Sequence, residues 1–254
     1  MNNKPIIHIV TPSIGRHNLL ALYGLLKPFL DQNLITWTIA YDKHLPIKHN
    51  NIIQLYLSDH VLTKVKTLYN YVRNKFSYGY FYVLDDDDLV DRIYLSYTIK
   101  ELSTIQFKKT VVIMPNQVYD LLLMKTYIES FDRLFSRKCM KFKEFIARSL
   151  RCLETFSNLL FGNILFSIDI NVDISRIDSF IDLSAIYTTD VNFMVYSDAN
   201  YCCYLSCPFY IKVLSNHSLF TLKNEFMKSL KLHRKALIEK KRMLNGQKNY
   251  RYIL

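Results

Sequence analysis

Glycine is scarce in this 254-residue chain, at five residues, and neither a GxGxxG nor a GxxxxGKS/T pattern occurs. Loops that wrap phosphate in backbone N–H groups are built from glycine, so a P-loop and a dinucleotide fingerprint are both excluded. No apolar run reaches the roughly 18 residues a membrane-spanning helix requires. The start, Met1 to Pro5, leads into a short apolar stretch without a small-residue cleavage site, so no secretory signal is expected. The five cysteines are an odd number, and none stands in a CxxC pair. In a chain with ample core this pattern predicts reduced thiols and a cytoplasmic protein. Cys202, Cys203 and Cys207 lie in an apolar run and read as buried thiols rather than zinc ligands.

What is present is apolar and aromatic. Half of the residues are hydrophobic, with 19 Tyr and 16 Phe, enough for one large domain with at most an appendage. The net charge is +11, but from Lys223 onward ten Lys or Arg face two acids. The basic character therefore belongs to the C-terminal segment, and the body of the chain is not a nucleic-acid-binding domain by composition. That segment reads as an amphipathic helix capped at Thr221, with Leu222, Phe226, Leu230, Leu237 and Leu244 on one stripe. Its basic face suits an anionic membrane surface or simply solvent, and no nucleic-acid module is recognisable.

Strands and helices alternate along the first half. Strands are predicted at 6–10, 36–41, 52–57, 80–84 and 111–114, with helices at 18–30, 63–75 and 92–102 between them. Thr11 to Arg16 reads as a loop after the first strand. Such alternation predicts an α/β domain with a mixed, largely parallel sheet that binds ligands at the carboxyl ends of its strands. Residues 125–156 are rich in Lys, Arg and Phe and read as one or two amphipathic helices. Further strands are expected at 163–166, 201–205 and 209–214, and a helix at 190–196.

The densest chemistry is the run from Tyr80 to Val90, in which apolar and aromatic residues feed into Asp85, Asp86, Asp87 and Asp88. Four carboxylates cannot be packed unpaired in a core. A divalent cation satisfies them, because hard cations take oxygen ligands. The competing reading is a solvated acidic turn with Asp88 capping the next helix. Asp42 and the loop after the first strand also fall at strand ends, so three loops are expected to converge on one crevice.

Four segments in this order resemble the GT-A-fold glycosyltransferases of the family 2 type: Ile9 to Ser13, Ile39 to Asp42, Val83 to Asp88, and Thr188 to Phe193. The third is similar to the family's DXD element. The chain departs from the family pattern in two places: Lys43 to Pro46 follow Asp42 where Asp-Gly-Ser is usual, and Thr189-Asp190 stands where Glu-Asp is usual. The resemblance implies a Rossmann-like GT-A domain over 1–220, with a nucleotide-sugar half (1–115) and an acceptor half (116–220), followed by a basic tail at 221–254. It implies Mn2+ or Mg2+ on Asp87, with His217 as a further ligand. It places Thr11, Pro12, Ser13, Arg16, Asp42, Asp85 and Asp86 around the donor, with Asp42 toward the nucleobase and Asp85 toward ribose or metal-bound water. Asp86 and Asp88 also read as solvated or capping residues. Asp190 becomes the general base of an inverting transfer, ahead of Asp182 and Asp198. The implied donor is a UDP-sugar, and the implied acceptor is a glycan or lipid-linked glycan in bacterial surface-polysaccharide synthesis. The implied location is the cytoplasm or the inner membrane face. The rival readings are a nucleotidyltransferase and a non-catalytic binding protein.

Overall fold

The computed structural model describes residues 6–13, 18–42, 47–58, 61–120, 124–178, 189–214 and 223–246. In chain order the first half runs β1 (Ile7–Pro12), α1 (Leu19–Asp31), β2 (Ile35–Tyr41), β3 (Ile52–Tyr56), α2 (Val61–Lys75), β4 (Tyr80–Val83), β5 (Leu89–Val90), α3 (Arg92–Leu102) and β6 (Thr110–Ile113). The second half runs β7 (Asn116–Asp120), β8 (Lys125–Glu129), β9 (Cys139–Lys141), α4 (Phe142–Ser149), α5 (Leu153–Ser157), β10 (Ile164–Ser167), α6 (Ile174–Asp178), α7 (Thr189–Val195), β11 (Tyr201–Tyr204), β12 (Tyr210–Leu214) and α8 (Lys223–Leu244).

The main sheet has eight strands in the order β3-β2-β1-β4-β10-β6-β11-β9. The pairs β2–β3, β1–β2, β1–β4 and β6–β11 are parallel, while β10 and β9 run antiparallel to their neighbours. Helices cover both faces. Ile7 and Ile9 of β1 with Tyr80 and Tyr82 of β4 pack under α1 and α3, while Val10, Phe81 and Val83 pack under α2, α4, α5, α7 and α8. Burial on both faces explains why β1, β2 and β4 read as continuous apolar runs rather than as alternating ones.

Two expectations are corrected. Thr11 and Pro12 belong to β1 and not to the loop. The 125–156 segment is α-helical only from Phe142 on: Lys125–Glu129 pairs with β7, Asp132–Leu134 is a single 3-10 turn, and Cys139–Lys141 pairs with β11. The strand at 111–114 ends before Pro115, and β7 beyond it belongs to a second sheet of four strands, β5-β12-β7-β8. Short strands with few alternating positions carry no periodicity that separates them from helix, and long-range pairing decides them.

The thiol expectation also fails at one pair. Cys139 and Cys203 sit directly opposite each other in the antiparallel β9–β11 register, Cα atoms 4.0 Å apart, and form a disulfide. Their 64-residue separation hides this cross-strand proximity in the sequence. Cys152, Cys202 and Cys207 are free, and Cys202 is buried as expected.

Candidate metal and donor site

The site lies at the carboxyl ends of β1, β2 and β4. After Val83 the chain leaves the sheet and turns at Asp86 and Asp87, with a long 3.4 Å contact from Asp88 N to Asp85 O. The turn divides the four carboxylates into two pairs: Asp85 and Asp87 are exposed, Asp86 and Asp88 buried. Solvation alone therefore does not account for the run.

Asp86 turns inward and accepts a 2.8 Å hydrogen bond from Ser13 Oγ, joining the end of β4 to the end of β1. Asp88 accepts a 2.6 Å hydrogen bond from Tyr210 Oη of β12. Burial pushes the Asp88 carboxyl up to about 8, reinforced by the negative charges of Asp85 and Asp87 and opposed by the Tyr210 hydrogen bond. The same burial and charge raise the Tyr210 and Tyr82 hydroxyls well above the ordinary tyrosine range. The capping role expected of Asp88 falls to Asp91, whose Oδ1 accepts from the backbone N–H groups of Ile93 and Tyr94 at the start of α3.

Asp85, Asp87 and Asp88 each offer an oxygen, and these oxygens lie within 4.8 Å of one another. The all-carboxylate donor set suits Mg2+ or Mn2+, and a cation would offset the mutual repulsion that raises Asp88. These residues fit a divalent metal.

The ends of β1 and β2 are organised by a residue that sequence reading passed over. Lys64 of α2 is buried, donates a 2.7 Å hydrogen bond to Ser13 O, and sits 3.8 Å from Asp42 Oδ2. The other Asp42 oxygen, Oδ1, has no hydrogen-bond partner among the described residues. One buried cation thus holds together the ends of β1 and β2, while the Ser13–Asp86 bond adds β4. The convergence of three loops expected from the sequence is present. The missed signal was spacing: Lys64 shares a helix face with Leu68 and Val72, where a charge is costly unless it has partners.

The remaining sequence candidates are placed as follows. The Thr11 side chain faces the core, where its Oγ1 accepts a 2.9 Å hydrogen bond from Trp37 Nε1. Pro12 is buried as well. Asp190 is the second residue of α7, and its side chain lies outside the described set, as do Arg16, Asp182 and His217. Asp198 is a structural residue: it pairs with Lys109 and accepts a 2.7 Å bond from Asn171 N.

Comparison in three dimensions aligns 95% of this chain with 42% of the S. aureus TarS chain, at 9% identity and a TM-score of 0.56. The chain has the GT-A glycosyltransferase fold. It spans less than half of that TarS chain. S. aureus TarS 1–349 aligns over 97% of this chain and 93% of its own length, at 9% identity and a TM-score of 0.49. Glucosyl-3-phosphoglycerate synthase from Mycobacterium tuberculosis, crystallised with Mn2+, UDP and glucosyl-3-phosphoglycerate, aligns over 96% and 81%, at 10% identity and a TM-score of 0.44. No protein-family model and no curated protein sequence matches the chain. The site occupies the strand ends where an open α/β sheet such as the GT-A fold takes its ligands.

Proposed function

We propose that this chain is a metal-dependent, inverting glycosyltransferase that moves a sugar from a UDP-sugar to a glycan or lipid-linked glycan during bacterial surface-polysaccharide synthesis. The observation that carries the reading is the Asp85–Asp87–Asp88 cluster at the end of β4 of a GT-A sheet. Asp87 and Asp88 would hold Mn2+ or Mg2+, with Asp85 placed toward ribose or a water on the ion. When bound, the cation would offset the negative charge that grows on the departing diphosphate.

The chain's own groups supply the rest. Asp42, with one oxygen beside Lys64 and the other without a partner, accepts from the nucleobase. Ser13, tied to Asp86, fixes the start of the loop that frames the donor with Arg16, while Thr11 and Pro12, buried in β1, anchor that loop to the sheet. Asp190, at the start of α7, takes the proton from the acceptor hydroxyl as it attacks the anomeric carbon, and inversion follows from that single displacement. His217 adds a ligand from the segment after β12.

Calorimetric titration of UDP with Mn2+, Mg2+ or EDTA, on the wild type and on Asp87→Ala, tests the reading. Binding should need the metal and should vanish in the variant. Absence of any metal-dependent binding of nucleoside diphosphates would sink the proposal. A panel of sugar nucleotides then assays product, since a transferase releases nucleoside diphosphate and a nucleotidyltransferase releases pyrophosphate from a triphosphate. Asp190→Asn should lower kcat by roughly 10²–10⁴-fold at unchanged UDP affinity.

A further inference from the structure

The C-terminal helix α8 is clamped to the domain. His233 Nδ1 lies 2.9 Å from Ser157 Oγ at the end of α5, and the His233 ring meets Phe156 edge-on. Ala236 and Leu237 are buried in the same core as α4, α5 and α7. The Lys240 ammonium turns inward to donate to Ser197 O, and Glu239 pairs with Arg176 at 2.8 Å. These contacts fix the rotation of the helix and thereby decide which residues face out.

The outward face carries Lys231, Arg234, Lys235, Ile238, Lys241 and Arg242, all exposed. Their spacing of three and four places them on one stripe, about 16 Å long at helical rise. Lys231, Arg234, Lys235 and Lys241 have no hydrogen bond or ion pair among the described residues. The stripe itself holds no acidic residue; Glu239, half-buried at its edge, is paired with Arg176. The one apolar residue in the row, Ile238, lies at its centre with 36% of its surface exposed.

We propose that this face of α8 docks the protein on an anionic phospholipid surface. A single helix face is convex and has no wall to enclose a small anion. Its cations are spread along a line rather than converging on a point, which suits a flat array of separate monovalent head groups. An exposed isoleucine at the centre gains from contact with the acyl boundary and gains nothing from a soluble polyanion. Among the described residues no helix is long and apolar enough to cross a membrane, so the contact is one of surface attachment.

Flotation of the full chain with two kinds of vesicle tests this: phosphatidylcholine alone, and phosphatidylcholine with about one-third phosphatidylglycerol. The wild type should float with the anionic vesicles only, and salt at about 0.5 M should release it. Each cation removed should weaken partitioning about fivefold, so the quadruple Lys231→Gln, Arg234→Gln, Lys235→Gln, Lys241→Gln variant should fall to background. Arg92→Gln with Lys100→Gln, exposed cations of α3 on the opposite side of the sheet, should change nothing. Ile238→Ser should weaken vesicle binding and leave retention on heparin unchanged. Thermal melts confirm that the variants fold. Equal binding to neutral and anionic vesicles, no binding to either, or undiminished binding of the quadruple variant would overturn the proposal. Vesicle binding insensitive to Ile238→Ser, with heparin bound more tightly than vesicles, would assign the face to a soluble polyanion instead.

Discussion

The Tyr210 hydroxyl donates a 2.6 Å hydrogen bond to the buried Asp88 carboxylate across 122 residues of sequence. That bond joins the second sheet to the acidic turn and holds the least accessible member of the carboxylate cluster in place. Outer groups that orient a ligating carboxylate contribute to metal affinity almost as directly as the ligands do. Tyr210→Phe should therefore lower Mn2+ affinity about 10- to 100-fold, read by calorimetry. A variant that binds Mn2+ as the wild type does would remove Asp88 from the site.

The same tyrosine explains the need for glycine at position 162. A Cβ there would lie 2.3 Å from Tyr210 Cζ, inside the ring's own volume. Tyr82 Oη also donates to Gly162 O at 3.1 Å, so the backbone cannot retreat without losing a buried bond. Gly162→Ala should cost about 1–3 kcal/mol of stability by overpacking and should also weaken metal binding. Chemical denaturation and the calorimetric titration check the two effects separately.

Removing Lys64 should damage both folding and donor binding. Lys64→Met leaves the Ser13 carbonyl without its donor and Asp42 without its nearest cation. Loss of one partner from a buried charge arrangement costs about 3–5 kcal/mol, and Asp42, roughly one-third exposed, places this case at the low end. The expected result is a lowered midpoint in denaturant and, in the folded fraction, weaker UDP binding with Mn2+ affinity retained.

His8 should make the protein sensitive to acid. Its ring is buried between the Thr36 hydroxyl and the Tyr78 carbonyl, and burial lowers its pKa from 6.5 to about 4. Above 6.5 the imidazole is neutral in both the folded and the unfolded chain. As the pH falls from 6.5 to about 4, the unfolded chain takes up a proton that the folded one refuses, and stability drops. The loss approaches about 3 kcal/mol at the bottom of that window. His8→Gln should be less stable at neutral pH but should show a shallower fall through the same window, measured by melts at successive pH values.

How much of this was legible differs from one part to another. The strand–helix alternation up to β6 can be read because buried parallel strands are apolar runs and the helices between them are amphipathic. The acidic run could be read as a candidate metal site because uncompensated charge is too costly to bury. Of the second sheet only β12 could be read: β5 has two residues, and β7 and β8 are recognisable only once paired. Nor could the division within the acidic run. Nothing in four consecutive aspartates says that Asp86 will meet Ser13, or that Asp88 will meet Tyr210.

The sequence by itself therefore determined the elements whose burial leaves a periodic mark: the central strands, the helices on both faces, and the placement of carboxylates at a strand end. The tertiary structure alone decided the partners. The roles of Asp88 and Asp86, the burial of Lys64, the Cys139–Cys203 bridge and the outward face of α8 all depend on contacts between residues that are distant along the chain. Such contacts follow from how whole sheets and helices pack, and local propensity carries no record of them.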